Sequence, residues 1–282
     1  MPTWDFDTPG PVRLDLEIPF GRIEIESAAG NTTHVSLEGN ESVSRELIEG
    51  ARVETHQRGE STEVVVDVRH RGIMFSIGRS PEIRLRVVCP PGADLNARTK
   101  SADITGRGNY GSLEVKTASG DIEIDEISGD ARIKTASGDV ALQDVGGQAE
   151  IQSTSGDVAL QRAGGDVIAK LVSGDLWVRD AGGSIHANSV SGDQRFEAVL
   201  GGTVDANAIS GDVYIGVRRG SRVYIDANTV SGSTSSEFDL ADAPDEGGEP
   251  TEEGPMVEVR AKTVSGDIML ARAPAPVELP RS

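Results

Sequence analysis

The tripeptide Ser-Gly-Asp recurs at Ser119, Ser137, Ser155, Ser173, Ser191 and Ser210, in steps of 18, 18, 18, 18 and 19 residues. Degenerate or displaced copies extend the series at Ser101-Ala102-Asp103, Ser231-Gly232-Ser233 and Ser265-Gly266-Asp267. A second glycine series lies halfway between, at Gly129, Gly147, Gly165, Gly183, Gly202 and Gly220. The unit is therefore a nine-residue half-coil, and self-similarity at such a fixed period is the signature of a solenoid. Within each unit the fourth and sixth positions are apolar and the fifth varies, as in Val140 and Leu142, Val158 and Leu160, Leu176 and Val178, Val213 and Ile215. That alternation is a strand with its apolar pair turned inward. Glycine then supplies the positive φ of a tight corner. Two strands and two corners make one flattened 18-residue coil, and coils stacked at ~4.8 Å pair every strand in parallel with its copies above and below. An unbroken stack of the nine corners would extend ~38 Å. The expected fold is an all-β parallel β-solenoid, with right-handed winding as the expectation for parallel crossovers.

Residues 1–91 lack the period and alternate as ordinary strands, for example Val12–Ile18, Ile23–Glu26, Val64–Val68 and Ile83–Val87. Val88-Cys89-Pro90-Pro91-Gly92 closes this part, because consecutive prolines cannot continue a central strand. An open solenoid end exposes unpaired N–H and C=O groups, so residues 1–91 are expected to be a β-rich cap. Residues 92–272 form the solenoid. It is interrupted at 233–255, where eight acidic side chains and no Lys or Arg predict a disordered loop. Residues 273–282 read as a proline-rich tail.

Lys and Arg number 27 against 46 Asp and Glu, a net charge of −19. That balance argues against a nucleic-acid partner, which needs a cationic face, and against docking on anionic lipid. The single cysteine, Cys89, excludes an intramolecular disulfide framework and a cysteine-based zinc site. No stretch is long and apolar enough to span a membrane. Met1–Asp7 lacks the features of a signal peptide, so the expected location is the cytoplasm, with surface exposure requiring a removed leader.

The corner aspartates Asp103, Asp121, Asp139, Asp157, Asp175, Asp193 and Asp212 are expected to stack along one edge, one per coil. Carboxylates ~5 Å apart in water repel by about 1 kcal/mol per pair, so each needs a compensating donor; an Asx-type turn bond is the expectation. The nine-residue period invites comparison with calcium β-rolls. Val140 or Val158 and Leu142 or Leu160 stand where that motif needs glycine and aspartate, so no metal site is assigned. A catalytic serine needs a base and an oxyanion hole at one place, not the same tripeptide at every corner. His34, His56, His70 and His186 show no metal spacing. Neither a catalytic residue nor a cofactor is assigned.

The candidate binding residues break the period. The fifth positions of three consecutive coils are Trp177, Arg195 and Tyr214, where earlier coils carry Glu123, Ala141 and Ala159. Aligned on one face they make an outward aromatic–Arg–aromatic ladder suited to cation–π stacking. Gln194 is polar at an inward position and predicts a bulge or a hydrogen-bonded buried amide. A second candidate is Ile73, Met74 and Phe75, which lie between glycines and basic flanks in Arg69–Arg79.

The Ser-Gly-Asp corners with intervening Gly-Gly corners, preceded by Val87-Val88-Cys89-Pro90-Pro91-Gly92, resemble the bacterial β-strand-repeat family labelled "putative adhesin" and grouped with the toastrack domains of envelope-stress operons. The resemblance covers nearly the whole chain. It implies a solenoid and no established catalytic residues. The function expected is that of a non-enzymatic interaction protein presenting a recognition face to a protein or carbohydrate ligand, with self-association through the solenoid ends. The alternatives are a toastrack-like regulatory component and a carbohydrate-active β-helix protein.

Overall fold

The computed structural model describes residues 2–39, 42–68, 82–238 and 254–273. The chain divides into two compact units, Met1–Asp157 and Val158–Ser282. Each is a parallel β-solenoid built as the period requires. In the first unit the strands Ile122–Ile127 and Val140–Val145 stack on one face, and Ala131–Thr135 and Ala149–Ser153 on the other. The register is in phase, with Val140 on Ile122, Leu142 on Ile124 and Ile151 on Ile133. These side chains are buried between the two faces.

The corner explains why glycine recurs. Gly138 has φ +110°, and a Cβ there would lie 2.4 Å from the carbonyl oxygen of Gly120 one coil away. Two requirements therefore coincide: a backbone conformation that disfavours L side chains, and an approach between coils that leaves no room for a carbon atom. The corner aspartates are bound across coils rather than within their own turns. Each Oδ1 accepts the N–H of the next aspartate: Asp139 N to Asp121 at 2.9 Å, Asp157 N to Asp139 at 2.9 Å, Asp193 N to Asp175 at 2.8 Å and Asp212 N to Asp193 at 2.8 Å. The local Asx bond expected from sequence is thus replaced by an inter-coil one. The opposite corner repeats the device, with Asp94, Asp130 and Asp166 accepting the N–H of Ser112, Gln148 and Ser184. A bond of this kind both holds adjacent coils in phase and offsets the repulsion along the row.

Residues 12–27 are a coil of the solenoid, although they lack its sequence period. The strand Val12–Ser27 pairs in parallel along both halves with Ala93–Thr117, Leu14 lying on Leu95 and Ile23 on Ile104. Its other side is covered by Ser61–Asp67 and Ile83–Cys89, again in parallel. The chain therefore lays down an inner coil first, the outermost coil second, and returns to the inner side at residue 93. Beyond the outer coil the pairing turns antiparallel. Arg52–Arg58 flanks Ser61–Asp67, Thr32–Gly39 flanks Ile83–Cys89, and Thr3–Asp7 flanks Thr32–Gly39. The helix Ser42–Glu49 packs beside Thr32–Gly39.

The second unit stacks Val158–Ala163, Leu176–Ala181, Gln194–Val199 and Val213–Val217 on one face, and Val167–Ser173, Ile185–Ser191 and Gly202–Ser210 on the other. Its last two layers are out of chain order. Met256–Ser265 pairs with Gly202–Ser210 on one side and with Arg222–Ser231 on the other, and Ile268–Arg272 lies between Val213–Val217 and Thr234–Ser236. The chain makes its terminal coil at 222–236 and then returns to fill the layer beneath. The aspartate row follows space, not sequence: Asp267 N donates to Asp212, and Ser233 N to Asp267. The first residues of the interruption expected at 233–255 are ordered. Thr234–Ser236 is a strand, Glu237 N donates to Leu270 O at 3.0 Å, and the Arg272 guanidinium sits 4.3 Å from the Phe238 ring centre. Residues 239–253, and the tail 274–282, lie outside the described residues.

Candidate functional site

The second unit brings the expected ladder together. Parallel register places Ala159, Trp177, Arg195, Tyr214 and Met269 in one outward row, each on the next strand of the sheet. Their neighbours Leu176, Val178, Phe196, Val213 and Ile215 are buried, so the row is anchored by its own alternation. The Arg195 guanidinium lies 4.3 Å from the centre of the Tyr214 ring, within cation–π range. Its Nε donates to Glu197 Oε1 at 3.0 Å. Trp177 also donates to the Glu197 carboxylate. Trp177, Glu197, Arg195 and Tyr214 thus form one connected group in which the carboxylate fixes both donors. Met269, half-exposed and stacked on Tyr214, extends the row by a strand; sequence spacing hid it because residues 222–255 separate it from the coil beneath.

Burial pushes the Glu197 carboxyl up, but the hydrogen bonds from Trp177 and Arg195 and the charge of Arg179 outweigh it, leaving the group below the usual carboxylate value. A depressed folded value means that the stabilisation is present above the unfolded glutamate value of about 4.3 and is lost as pH falls through the folded one. In a Trp4→Phe background, where Trp177 is the only tryptophan, its emission should be constant near neutrality and change only below about pH 4. Glu197→Gln should remove that transition; an unchanged acid transition in this variant would show that the carboxylate does not hold the indole.

Gln194 is 1% exposed and keeps the strand register with Leu176 and Val213 on either side. Both expected outcomes are present in part: Nε2 donates to Asn207 O at 2.9 Å while the buried Oε1 has no partner, and the pairing of this strand with Val213–Val217 shifts register between Phe196 and Val199. Ile73, Met74 and Phe75 lie outside the described residues.

Sequence reasoning missed a second outward row. Val172, Val190, Ile209, Val264 and Val230 each stand just before a Ser-Gly corner. The pairing of those corners stacks them in that order, and each is 45% to 82% exposed. The first unit carries Ala118, Ala136 and Thr154 at the same place in the period. The change from small to β-branched was therefore readable, had the position before the corner been compared between coils. A continuous exposed apolar stripe of this kind marks a contact surface more often than scattered single residues do.

The histidines do not converge. His34 pairs with Asp5 and His56 with Glu54 on separate strands of the first unit, His186 lies in the second, and His70 is outside the described residues. Among the described residues no group of three or more His, Cys, Asp or Glu is placed to hold a metal ion. Cys89 is buried, which pushes its thiol up to about 12 and leaves it inert at neutral pH. Among the described residues no helix is long and apolar enough to cross a membrane.

The model of one protein family, described as Toastrack DUF4097, matches residues 14–271. Similar solved structures include a "putative adhesin" from Bacteroides fragilis, at 14% identity and TM-score 0.32, with 95% of each chain covered. Another is a "putative cell adhesion protein" from Clostridium sporogenes, at 9% identity and TM-score 0.30, covering 96% of this chain and 98% of that one. A third is a "putative lipid binding protein" from Parabacteroides distasonis, at 12% identity and TM-score 0.30, covering 95% and 96%. No curated protein matches.

Proposed function

The chain belongs to the Toastrack DUF4097 family, and from that premise we propose that it is a non-enzymatic recognition protein whose second unit presents the Trp177–Arg195–Tyr214–Met269 row to a carbohydrate or protein ligand. The observation that carries this reading is the alignment itself. Three consecutive strands place Trp, Arg and Tyr outward at one register, where Glu123 and Ala141 occupy the matching outward positions of the first unit. Four strands at ~4.8 Å give the row a length of about 14 Å, enough for an elongated ligand to lie across several side chains at once. The planar faces bury apolar area at low entropic cost, and Arg195 adds a directional donor. Solenoid strands hold the side chains rigid, so little ordering is required on binding. The ridge of Val172, Val190, Ile209, Val264 and Val230 supports the assignment of this unit to contact rather than to plain scaffolding.

The Trp4→Phe protein, titrated with panels of oligosaccharides and of extended peptides, should show a saturable change in Trp177 emission with at least one probe. Trp177→Ala, followed by calorimetry, should abolish that binding while lowering Tm by no more than a few degrees, because the side chain is outside the core. A panel without any saturating probe, or binding unchanged in both Trp177→Ala and Tyr214→Ala, would overturn the reading.

A further inference from the structure

The exposed valine ridge of the second unit is not required by the coils that carry it. In the first unit the same Ser-Gly corner follows Ala118, Ala136 and Thr154, with Gly120, Gly138 and Gly156 at φ +123°, +110° and +109°. The corner is unchanged in the second unit, where Gly174 and Gly192 have φ +118° and +121°, yet Val172 and Val190 precede it. Buried Leu171, Ser189, Ala208 and Thr263 anchor these strands from the inner side, so the added apolar bulk points away from its own core. Beside the ridge runs a row of Lys170, Asn188, Asn207, Lys262 and Asn228, in the same layer order. The corner serines Ser173, Ser191, Ser210, Ser265 and Ser231 stack on its other side. These three rows hold no carboxylate, in a chain with 46 Asp and Glu and a net charge of −19. Asp205 and Asp226 stand in the next row along the face, and the corner aspartates stand beyond the serines, so acid bounds the strip on both sides. Among the described residues neither Lys170 nor Lys262 has an ion pair.

We propose that this strip is the docking surface for a second copy of the same chain, laid face to face with its stack reversed about a two-fold axis at Ile209. Such a contact requires a surface that complements itself. Across the layers the ridge runs Val-Val-Ile-Val-Val, the same in either direction. The axis sets Val172 against Val230 of the second copy, Val190 against Val264 and Ile209 against Ile209, so all five layers are covered. Lys170 then meets Asn228 of the second copy, and Lys262 meets Asn188. Asn188 Oδ1 accepts from Asn207 Nδ2 at 3.4 Å within its own copy and keeps a second lone pair for the lysine. Sliding one copy by a layer uncovers an end of the ridge, and in one direction sets Lys170 against Lys262. Charge points to the same occupant. Like charges facing each other across an interface cost affinity, and the strip lets two copies of an acidic chain meet without opposing carboxylates. Five layers at ~4.8 Å and about 13 Å along the strands give roughly 300 Å² per copy. That is below the ~800 Å² per partner of a standard stable interface, so a weak, concentration-dependent dimer is the result required.

Sedimentation of the full chain from about 1 µM to about 1 mM should show a monomer–dimer equilibrium. Ile209→Asp, which sets two carboxylates face to face on the axis, should weaken dimerisation at least tenfold. Val190→Asp and Val264→Lys should each weaken it similarly, and the two in one chain should restore it, because each then meets the other across the axis. Val172→Lys with Val230→Asp gives a second, independent pair with the same expected pattern. All five positions are exposed, and the circular-dichroism spectrum and Tm of each variant establish that it folds. A monomer at every concentration overturns the proposal, as does a dimer indifferent to Ile209→Asp. Paired variants that dimerise no better than their single components overturn it as well. Co-sedimentation of a monomeric chain with phosphatidylglycerol vesicles, lost in Ile209→Asp, would overturn it in favour of a lipid surface.

Discussion

Gly138→Ala should lower the stability of the first unit by about 2–5 kcal/mol, although it adds a single methyl group at an exposed corner. The φ of +110° costs an L residue about 1–2 kcal/mol. The new Cβ would sit 2.4 Å from Gly120 O and 2.7 Å from its carbonyl carbon, backbone atoms that move only if the neighbouring coil moves. Forced separation of packed groups adds about 1–3 kcal/mol. Gly59→Ala separates the two causes: its φ is +68°, but nothing lies within 4 Å of the added carbon, so only the first cost applies. Thermal unfolding should show Gly138→Ala melting roughly 5–15 °C lower and Gly59→Ala shifted by about a third as much. Equal, small shifts would mean that the coils are not held as closely as the corner geometry requires.

The second large effect concerns the chain order of the last layers. Ending the chain after residue 255 removes Met256–Ser265 and Ile268–Arg272, which are the only described neighbours of Arg222–Ser231 and Thr234–Ser236. Val257, Val259, Ile268 and Leu270 are fully buried in the full chain, so their loss strips the apolar partners from one side of two layers at once. Residues 222–236 should then lose their β structure although none of them has been deleted. Limited tryptic digestion should cut at Arg222 within minutes in the truncated protein and resist cutting in the full-length one, and hydrogen exchange over 222–236 should lose its protection. A solenoid stacked in chain order would keep this coil in place; retained protection after truncation would therefore contradict the layer order.

The repeat was legible because one physical unit, an inward apolar pair followed by a glycine corner, recurs with little change. The coil at 12–27 was not, although it makes the same turn. Its corner is Phe20-Gly21-Arg22, set against Ser101-Ala102-Asp103 in the neighbouring coil, so the glycine is present and the flanking residues are replaced. Gly21 has φ +109°, and a Cβ there would fall 1.9 Å from Ile83 O. The conformation is kept and the tripeptide is lost. Layer order was hidden for a different reason. Every coil offers the same inward pattern, so alternation alone does not say which coil lies on which; Val257 and Val223 read alike whichever is outermost. The ladder was legible because Trp177, Arg195 and Tyr214 fall on successive coils in chain order. Met269 was not, because its coil returns to the stack only after the terminal coil has been made.

The order of those final layers also has a consequence in time. A ribosome releases residues 222–236 before residues 256–272, yet in the finished fold the earlier segment lies on the later one. Growth of the second unit is therefore not vectorial at its close: until the last stretch is synthesised, the layer over Gly202–Ser210 and Val213–Val217 stays open to the wrong coil, and residues 222–236 reach their final partners only after residues 256–272 have taken that place. A translational pause within 239–255 would prolong that vulnerable interval and give proteases or chaperones their best opportunity.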